Sequence, residues 1–416
     1  MKTLLLSESD NLPGAPRAAY RLHKSLRGIG VESNMLVRRK LTDDPTVFAR
    51  HPKWQRVYRK ASAWLDGVPL RMAGQTPKDV WTTGWLANGI ERDIARINPQ
   101  VAHLHWVGFG FVPISALPKF GRPVVWTLRD MNSFTGGCHY DQGCGKYADG
   151  CGACPLLSPI KQNDVSAKTL ADKQRLWANA NITVVGLSNW IANMARQSAV
   201  FKNKRVEVIP NGINLQTFAP MDKAQARREL GLPADKKIIV FGATKSTGDP
   251  RKGFHLLAAA LQKLAAQGWA QNAMLVVFGA DGASGRHESG FEVKYLGTLK
   301  TEPDLVRAYS AGDVFVAPSI EENFANTILE ALACGTPCAG FVTGGNPDLI
   351  THQTNGYLAK PFEPEDLAAG MAWVLADGTR AEQLAREARA SVERRYDSRA
   401  VAERYAKLYE EITCNV

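Results

Sequence analysis

The chain is organised around Pro318-Ser319-Ile320-Glu321-Glu322-Asn323-Phe324-Ala325-Asn326-Thr327-Ile328-Leu329-Glu330. Ahead of it, Asp313-Val-Phe-Val-Ala-Pro318 is a short apolar run of β-branched and aromatic residues, the pattern of a buried strand. Behind it, residues 325–334 carry good helix formers, and Gly335 and Pro337 stand where a C-cap glycine and a trailing proline stop a helix. Two carboxylates thus flank a strand-to-helix turn at the carboxyl end of a strand, the edge at which open α/β sheets bind ligands. Glu322 falls on the turn, and Glu330 lies two turns into the helix, on the order of 10 Å away by helix rise. Between them the helix N-terminus at Phe324 and Ala325 offers N–H groups without helical partners and partial positive charge, a seat for phosphate. An elongated ligand fits that order: hydroxyls at one end, a diphosphate in the middle, a ribose at the other.

The flanking sequence repeats this construction. Residues 237–242, 274–278, 314–318 and 337–341 read as strands, and residues 253–265, 302–311, 325–334 and 363–376 as helices. Such alternation predicts a parallel, doubly wound sheet. In the loop Ala243-Thr-Lys-Ser-Thr-Gly-Asp-Pro-Arg-Lys-Gly253, Arg251 and Lys252 stand beside a helix N-terminus, so charge and dipole converge on one anion. The first half follows the same rhythm, with strands at 3–6, 101–106, 123–128, 182–187 and 206–209. Pro16 starts a helix that Gly28 ends, with Ala19, Leu22 and Leu26 as its buried stripe. Ser188 caps another helix, which reaches Gln197. Gly14, in the loop before the first helix, lets backbone approach a phosphate or simply makes a tight turn. Pro210-Asn-Gly is a strong turn signal and separates an N-terminal domain, 1–208, from a C-terminal domain, 209–395. The last helix, from Ser398, buries Val401, Tyr405, Leu408 and Tyr409.

At 416 residues the chain has room for two or three domains with full cores. The opening Met1-Lys-Thr-Leu-Leu-Leu-Ser-Glu8 has too short an apolar run for a signal peptide, and no run approaches the ~20 residues of a membrane span. The expectation is a cytoplasmic protein. A net charge of +11 asks for an anionic partner: nucleic acid, a membrane surface or a phosphorylated substrate. The basic residues are spread widely with no RNA-recognition, helix-turn-helix or finger pattern, so nucleic acid is not expected. Residues 51–65 read as an amphipathic helix with Trp54, Val57, Tyr58, Ala61, Trp64 and Leu65 at helical spacing, and Lys53, Arg56, Arg59 and Lys60 over much of the rest. Two readings stand. It lies on an anionic membrane surface, making the protein peripheral on the inner face of the cytoplasmic membrane, or it packs its apolar stripe on the core and solvates the basic face. Of seven cysteines, Cys138, Cys144, Cys151 and Cys154 fall together as C-x5-C-x6-C-x2-C in a glycine-rich loop. They form a tetrahedral structural zinc site with no position left for chemistry, two disulfides in an oxidising compartment, or four thiols.

Taken together, the E-x7-E pair Glu322 and Glu330, Lys252-Gly253, Gly297-Thr298, Gly344-Gly345-Asn-Pro-Asp348, the joint Pro210-Asn-Gly-Ile-Asn214, and the strand ends His103-Leu-His-Trp106 and Thr127-Leu-Arg-Asp130 resemble the family-4 glycosyltransferases, in particular the exopolysaccharide type that includes colanic-acid enzymes. The resemblance implies the α/β GT-B fold: two Rossmann-like, doubly wound domains facing a cleft, with residues 396–416 crossing back to the first. It implies retaining transfer of a sugar from a UDP- or GDP-sugar donor to a glycan or lipid-linked saccharide acceptor in bacterial exopolysaccharide or lipopolysaccharide assembly. On this resemblance Glu322 faces the donor sugar, Glu330 holds the ribose, Lys252 and Arg251 hold the diphosphate, Gly14 approaches it, and Thr298 meets the nucleobase. Several positions depart from the family pattern. Ala15 replaces a second glycine, Asn214 an aspartate, and Asp348 a glutamate. Arg129 replaces a histidine that faces the donor sugar, with His105 and His139 as substitutes. The family arginine before Lys252 is absent, and Arg251 or Lys245 takes its place. The chain has no D-x-D, so no catalytic metal or other cofactor is expected, and Lys252, Arg251 and the helix N-terminus stabilise the departing diphosphate. The rival readings are a non-catalytic sugar-nucleotide-binding protein, which would bind donor without transferring it, and a basic zinc-containing nucleic-acid binder, which would stay on heparin in excess sugar nucleotide.

Overall fold

The computed structural model describes residues 1–242 and 247–414. They form two compact units, one of Met1–Pro210 together with the residues from Arg399 on, the other of Asn211–Ser398.

The first unit is built on seven parallel strands, β1 (Lys2–Ser9), β2 (Glu32–Arg39), β3 (Val47–Ala49), β4 (Val101–Leu104), β5 (Val124–Leu128), β6 (Ile182–Gly186) and β7 (Arg205–Val208). Their order is β3-β2-β1-β4-β5-β6-β7, so the winding reverses between β1 and β4. The central strands read as unbroken apolar runs because both faces are covered. Leu5, Val101, Val125 and Val185 enter one core, while Leu4, Leu6, Ala102, Val124 and Val184 enter the other, as the two-residue period of a strand requires. Helix α1 (Ala15–Gly28) covers the first of these faces with Ala19, Leu22 and Leu26. The C-terminal helix Ser398–Cys414 covers the same face and is tied down by polar contacts as well as by apolar area. His103 on β4 meets the Tyr409 hydroxyl at 2.6 Å and Thr127 Oγ1 at 2.7 Å, and Thr127 meets the Tyr405 hydroxyl at 2.9 Å. These groups are all buried, so each is the only substitute the others have for water.

Helix α2 (Gln55–Asp66) follows a short 3-10 turn at Pro52–Trp54. Its buried residues are Ser62 and Asp66, whereas Trp54, Val57, Trp64 and Leu65 are exposed. The core-packed reading of the apolar stripe is thereby overturned. The reason lies underneath: the buried Arg38–Glu8 ion pair at 2.9 Å needs a polar partner, and Ser62 Oγ accepts from Arg38 at 3.1 Å.

The second unit repeats the topology with β8 (Lys237–Gly242), β9 (Ala273–Phe278), β10 (Gly285–Arg286), β11 (Glu292–Tyr295), β12 (Val314–Ala317), β13 (Cys338–Phe341) and β14 (Gly356–Ala359). The order is β10-β11-β9-β8-β12-β13-β14, parallel throughout except for β10 against β11. The winding reverses between β8 and β12, and helix α3 (Asn326–Ala333) follows β12. Both units are therefore Rossmann-like.

The buried His23 of α1 meets Ser33 Oγ and Thr46 Oγ1, each at 2.8 Å, and burial lowers its pKa from the ordinary 6.5 to about 4. The folded-state value is depressed, so the unfolded chain takes up this proton first. The contribution, about 3 kcal/mol at most, is complete above 6.5 and is lost as the pH falls toward 4. His103 and His105, pushed well below 6.5 by burial, act with the same sign. Thermal unfolding should therefore show a lower midpoint at about pH 5 than at about pH 7, and His23→Gln should shrink that difference; an unchanged difference would show that His23 titrates normally in the fold.

Candidate functional site

Ligands of doubly wound sheets sit at the carboxyl ends of the strands where the winding reverses. In the second unit that point lies between the loops following β8 and β12. The β8 loop carries Lys252 and the β12 loop carries Glu322, and the structure brings the two together. Lys252 Nζ donates to Glu322 Oε2 at 2.6 Å, both side chains being partly buried. The two residues lie 70 positions apart in sequence. Ile320 N donates to the Arg251 carbonyl at 2.8 Å, which joins the loops directly.

Two glycines make this approach possible. Gly253 has φ +70°, and a Cβ there would fall on the Pro318 carbonyl oxygen. Gly344 has φ +51°, and a Cβ there would fall on the Glu322 carbonyl oxygen, which accepts from Gly345 N at 2.9 Å. Thr343 Oγ1 adds a bond to the Ser319 carbonyl at 2.8 Å. The β12 loop is thus held between the β8 loop and the turn after β13.

The remaining residues of this unit spread around the pair. Helix α3 begins after Ala325 with no side-chain cap, and Phe324 and Ala325 are buried beneath it. Glu330 is buried on α3 and accepts from the Tyr309 hydroxyl at 3.0 Å. Thr298 is exposed on a turn fixed by Gly279 N donating to the Gly297 carbonyl at 2.8 Å. Arg251 is turned onto its own loop: its Nη2 donates to Asp249 Oδ2 at 2.9 Å, and this cation outweighs burial in holding the Asp249 carboxyl below its ordinary range. The alternative cation, Lys245, lies outside the described residues.

The first unit carries a second polar cluster at the carboxyl ends of β4 and β5, beside its own reversal point. Gly14, at φ +86° between β1 and α1, has open space where a Cβ would stand. Arg129 Nη2 meets His105 Nδ1 at 2.9 Å. Burial lowers the guanidinium to about 10, so it stays charged at neutral pH and can only donate. His105 Nδ1 must therefore accept, which places the imidazole proton on Nε2. Beside this pair, Asp130 Oδ2 accepts from His139 Nδ1 at 2.6 Å and from Trp106 Nε1 at 2.7 Å. Burial works against the Asp130 charge, but the His139 ring and the hydrogen bonds from His139, Asn132 N and Trp106 outweigh it and hold the carboxyl low. His105, Trp106, Arg129, Asp130 and His139 line one small cavity. Asp130 was marked by the Thr127-Leu-Arg-Asp130 segment but not as the anchor of His139, and Asp249 and Tyr309 had no signal in the sequence.

The four cysteines of the zinc reading lie in the first unit. Among the described residues no group of three or more His, Cys, Asp or Glu side chains is placed to hold a metal ion. Cys138 and Cys154 join a small apolar cluster with Leu70, Trp81, Leu157 and Val165, Cys151 packs against the main core of the unit, and the four side chains stay close enough to act on one another electrostatically. Burial pushes the Cys138, Cys151 and Cys154 thiols up, the Cys151 pKa to about 11.

Two doubly wound, mostly parallel sheets in one chain are the architecture of the GT-B class of glycosyltransferases. Residues 14–217 match the family model described as Glycosyltransferase Family 4, and residues 222–391 match Glycosyl transferases group 1. The chain belongs to glycosyltransferase family 4. It is 28% identical over 404 residues to a D-inositol 3-phosphate glycosyltransferase of Thermobispora bispora, covering 93% of this chain and 87% of that one. A second D-inositol 3-phosphate glycosyltransferase, of Xylanimonas cellulosilytica, is 33% identical over 46% of this chain and 48% of its own. Among solved structures, sucrose-phosphate synthase of Thermosynechococcus elongatus superposes with a TM-score of 0.69 at 20% identity, covering 100% of this chain and 99% of that one. Anabaena HepE in complex with UDP and glucose superposes with a TM-score of 0.66 at 18% identity, covering 99% and 100%. Identities this low speak for the fold. No helix among the described residues is long and apolar enough to cross a membrane.

Because the Glu322 carbonyl leaves no room for a side chain at 344, Gly344→Ala should displace Glu322 and lower glycosyl-transfer kcat about as far as Glu322→Gln does. Gly28→Ala, which adds a methyl where nothing lies within 4 Å, serves as the control. Wild-type kcat in Gly344→Ala would show that the position of Glu322 does not matter to transfer.

Proposed function

We propose that this glycosyltransferase takes a UDP- or GDP-sugar donor at the reversal point of its second unit and transfers the sugar, with retention and without a metal, to a glycan or lipid-linked saccharide in polysaccharide assembly. The observation that carries the reading is the Lys252–Glu322 pair at 2.6 Å, set at the ends of two parallel strands. An ammonium there neutralises charge as it develops on a leaving diphosphate, and the uncapped N-terminus of α3 adds backbone N–H groups to the same task. Glu322, held through its carbonyl by the Gly344-Gly345 turn, hydrogen-bonds hydroxyls of the donor sugar. Glu330 holds the ribose from α3, exchanging its bond to Tyr309 for one to a hydroxyl. In the transfer itself the acceptor oxygen bonds to the anomeric carbon as the bond to the phosphate oxygen breaks. Both events occur on the same face, and the departing phosphate oxygen takes the acceptor's proton. The UDP in the HepE complex and the inositol phosphate in the relatives' names agree with a phosphorylated ligand chemistry, which the excess of cationic residues favours.

Kinetics of single variants separate these roles. Lys252→Ala should cost about 10²–10³ in kcat, since it removes charge stabilisation realised mainly in the transition state. Glu330→Ala should raise the donor KM and leave kcat near its original value, because a ribose contact is the same in ground and transition states. A screen of nucleotide sugars by thermal shift supplies the donor for the assay. Full activity in Lys252→Ala would place the diphosphate elsewhere and overturn the proposal.

A further inference from the structure

Helix α2 is docked by its polar side. Gln55 exchanges bonds with the Lys40 backbone at 3.1 and 3.3 Å, and Tyr58 Oη accepts from Arg50 at 2.9 Å. Ser62 accepts from Arg38, and the Asp66 carboxylate accepts from Gly84 N at 2.7 Å. At Gly110 a Cβ would come within 3.1 Å of the Ser62 carbonyl, so the helix is seated close. The opposite side is left in water. Trp54 is 70% exposed, Val57 60%, Trp64 62%, Leu65 41% and Met72, just beyond the helix, 84%. Burial could have hidden these side chains, and the fold instead spends the inward face on hydrogen bonds. Contiguous exposed apolar side chains of this size mark an interaction surface.

The charges around the patch decide what covers it. Lys53, Arg56, Lys60 and Arg71 are exposed, and the only acidic residue between positions 51 and 75 is Asp66, which is buried. The Arg71 guanidinium lies 4.6 Å over the Trp64 ring, so cation and indole are presented together. A second copy of this chain would set cations against cations. Stacking on bases would use the two tryptophans, but not Val57, Leu65 or Met72. An interface with headgroup phosphates above and acyl chains below uses every one of them. We infer that the outward face of α2, with Trp54 and Met72 at its ends, docks the protein on an anionic lipid bilayer by shallow insertion of these apolar side chains between anionic headgroups. The inference stands apart from the proposed donor chemistry, because it concerns only the first unit and needs no sugar nucleotide.

Sedimentation of the full chain with phosphatidylglycerol–phosphatidylcholine vesicles, against phosphatidylcholine alone and without donor or acceptor, tests it. The chain should pellet with the anionic vesicles and be released by salt. Lys53→Gln, Arg56→Gln and Lys60→Gln should each weaken that binding about fivefold, the equivalent of one charge at a lipid surface. A Trp54→Ser/Trp64→Ser/Met72→Ser variant should lose the vesicles while keeping its thermal midpoint, since all three side chains point to solvent. Failure to pellet, or pelleting unchanged in both sets of variants, overturns the inference. So does displacement from vesicles by a single-stranded oligonucleotide, which would assign the face to nucleic acid. Dimerisation that the tryptophan variant abolishes would assign it to a second copy and overturn it equally.

Discussion

Two backbone carbonyls, those of Pro318 and Glu322, have other backbone packed against them where a Cβ would normally stand, and the site follows from that closeness. A loop between a strand and a helix is ordinarily the freest part of an α/β unit. Here it is pinned at both ends by residues that lack a side chain and adopt positive φ at Gly253 and Gly344. The pinning fixes the Glu322 backbone, so the carboxylate meets Lys252 with little freedom left to lose on binding. Preorganised charge of this kind stabilises a developing anion without reorganising when the charge appears. The glycines have no side chain to offer, yet they determine where the carboxylate and the ammonium stand.

The parallel architecture was legible because strands covered on both faces leave unbroken apolar runs in the sequence. Strand β8 runs over the same residues, 237–242, that its composition marks, and α3 begins and ends within a residue of the span its cap signals give. Legibility stopped where polar residues were buried for partners distant in sequence. Strand β2 carries Arg38, whose place inside makes sense only with Glu8 and Ser62 in view. The same ion pair inverted α2: helical periodicity gives a stripe but not the direction it faces, and the buried guanidinium chose the polar side. The long helix Gly378–Arg395 was missed for the opposite reason, since its charged surface leaves only a sparse apolar stripe at Leu384, Ala388 and Val392. Glu322 and Lys252 were each suggested by their place beside a helix start, whereas their contact depended on sheet order. The cysteine spacing allowed metal, disulfides or thiols, and what it did not show was the apolar cluster that gathers Cys138 and Cys154 with Trp81 and Leu157.

The two reversal points are unlike electrostatically. In the second unit a lysine and a carboxylate satisfy each other and stand ready to exchange partners. In the first, each charge has a fixed companion: Arg129 donates to His105, which burial keeps neutral, and Asp130 gathers Trp106, His139 and the Asn132 amide. An arginine at position 129 is donor-only, but through His105 it also sets which imidazole nitrogen carries the proton. Two residues thereby divide functions that one neutral histidine would combine.

The Ser398–Cys414 helix has a consequence for how the protein is made. Residues 211–398 are an insertion between the body of the first unit and the helix that completes it. Until Tyr405 and Tyr409 leave the ribosome, His103 and Thr127 lack their hydroxyl partners, and a face of the first sheet stays wet. The core of the second unit is built from its own span, Ile239 to Leu384. Although it is synthesised later, it can finish folding first, and the first unit waits for the Ser398–Cys414 helix. A nonsense codon ahead of Tyr405 would therefore damage the part of the molecule translated earliest.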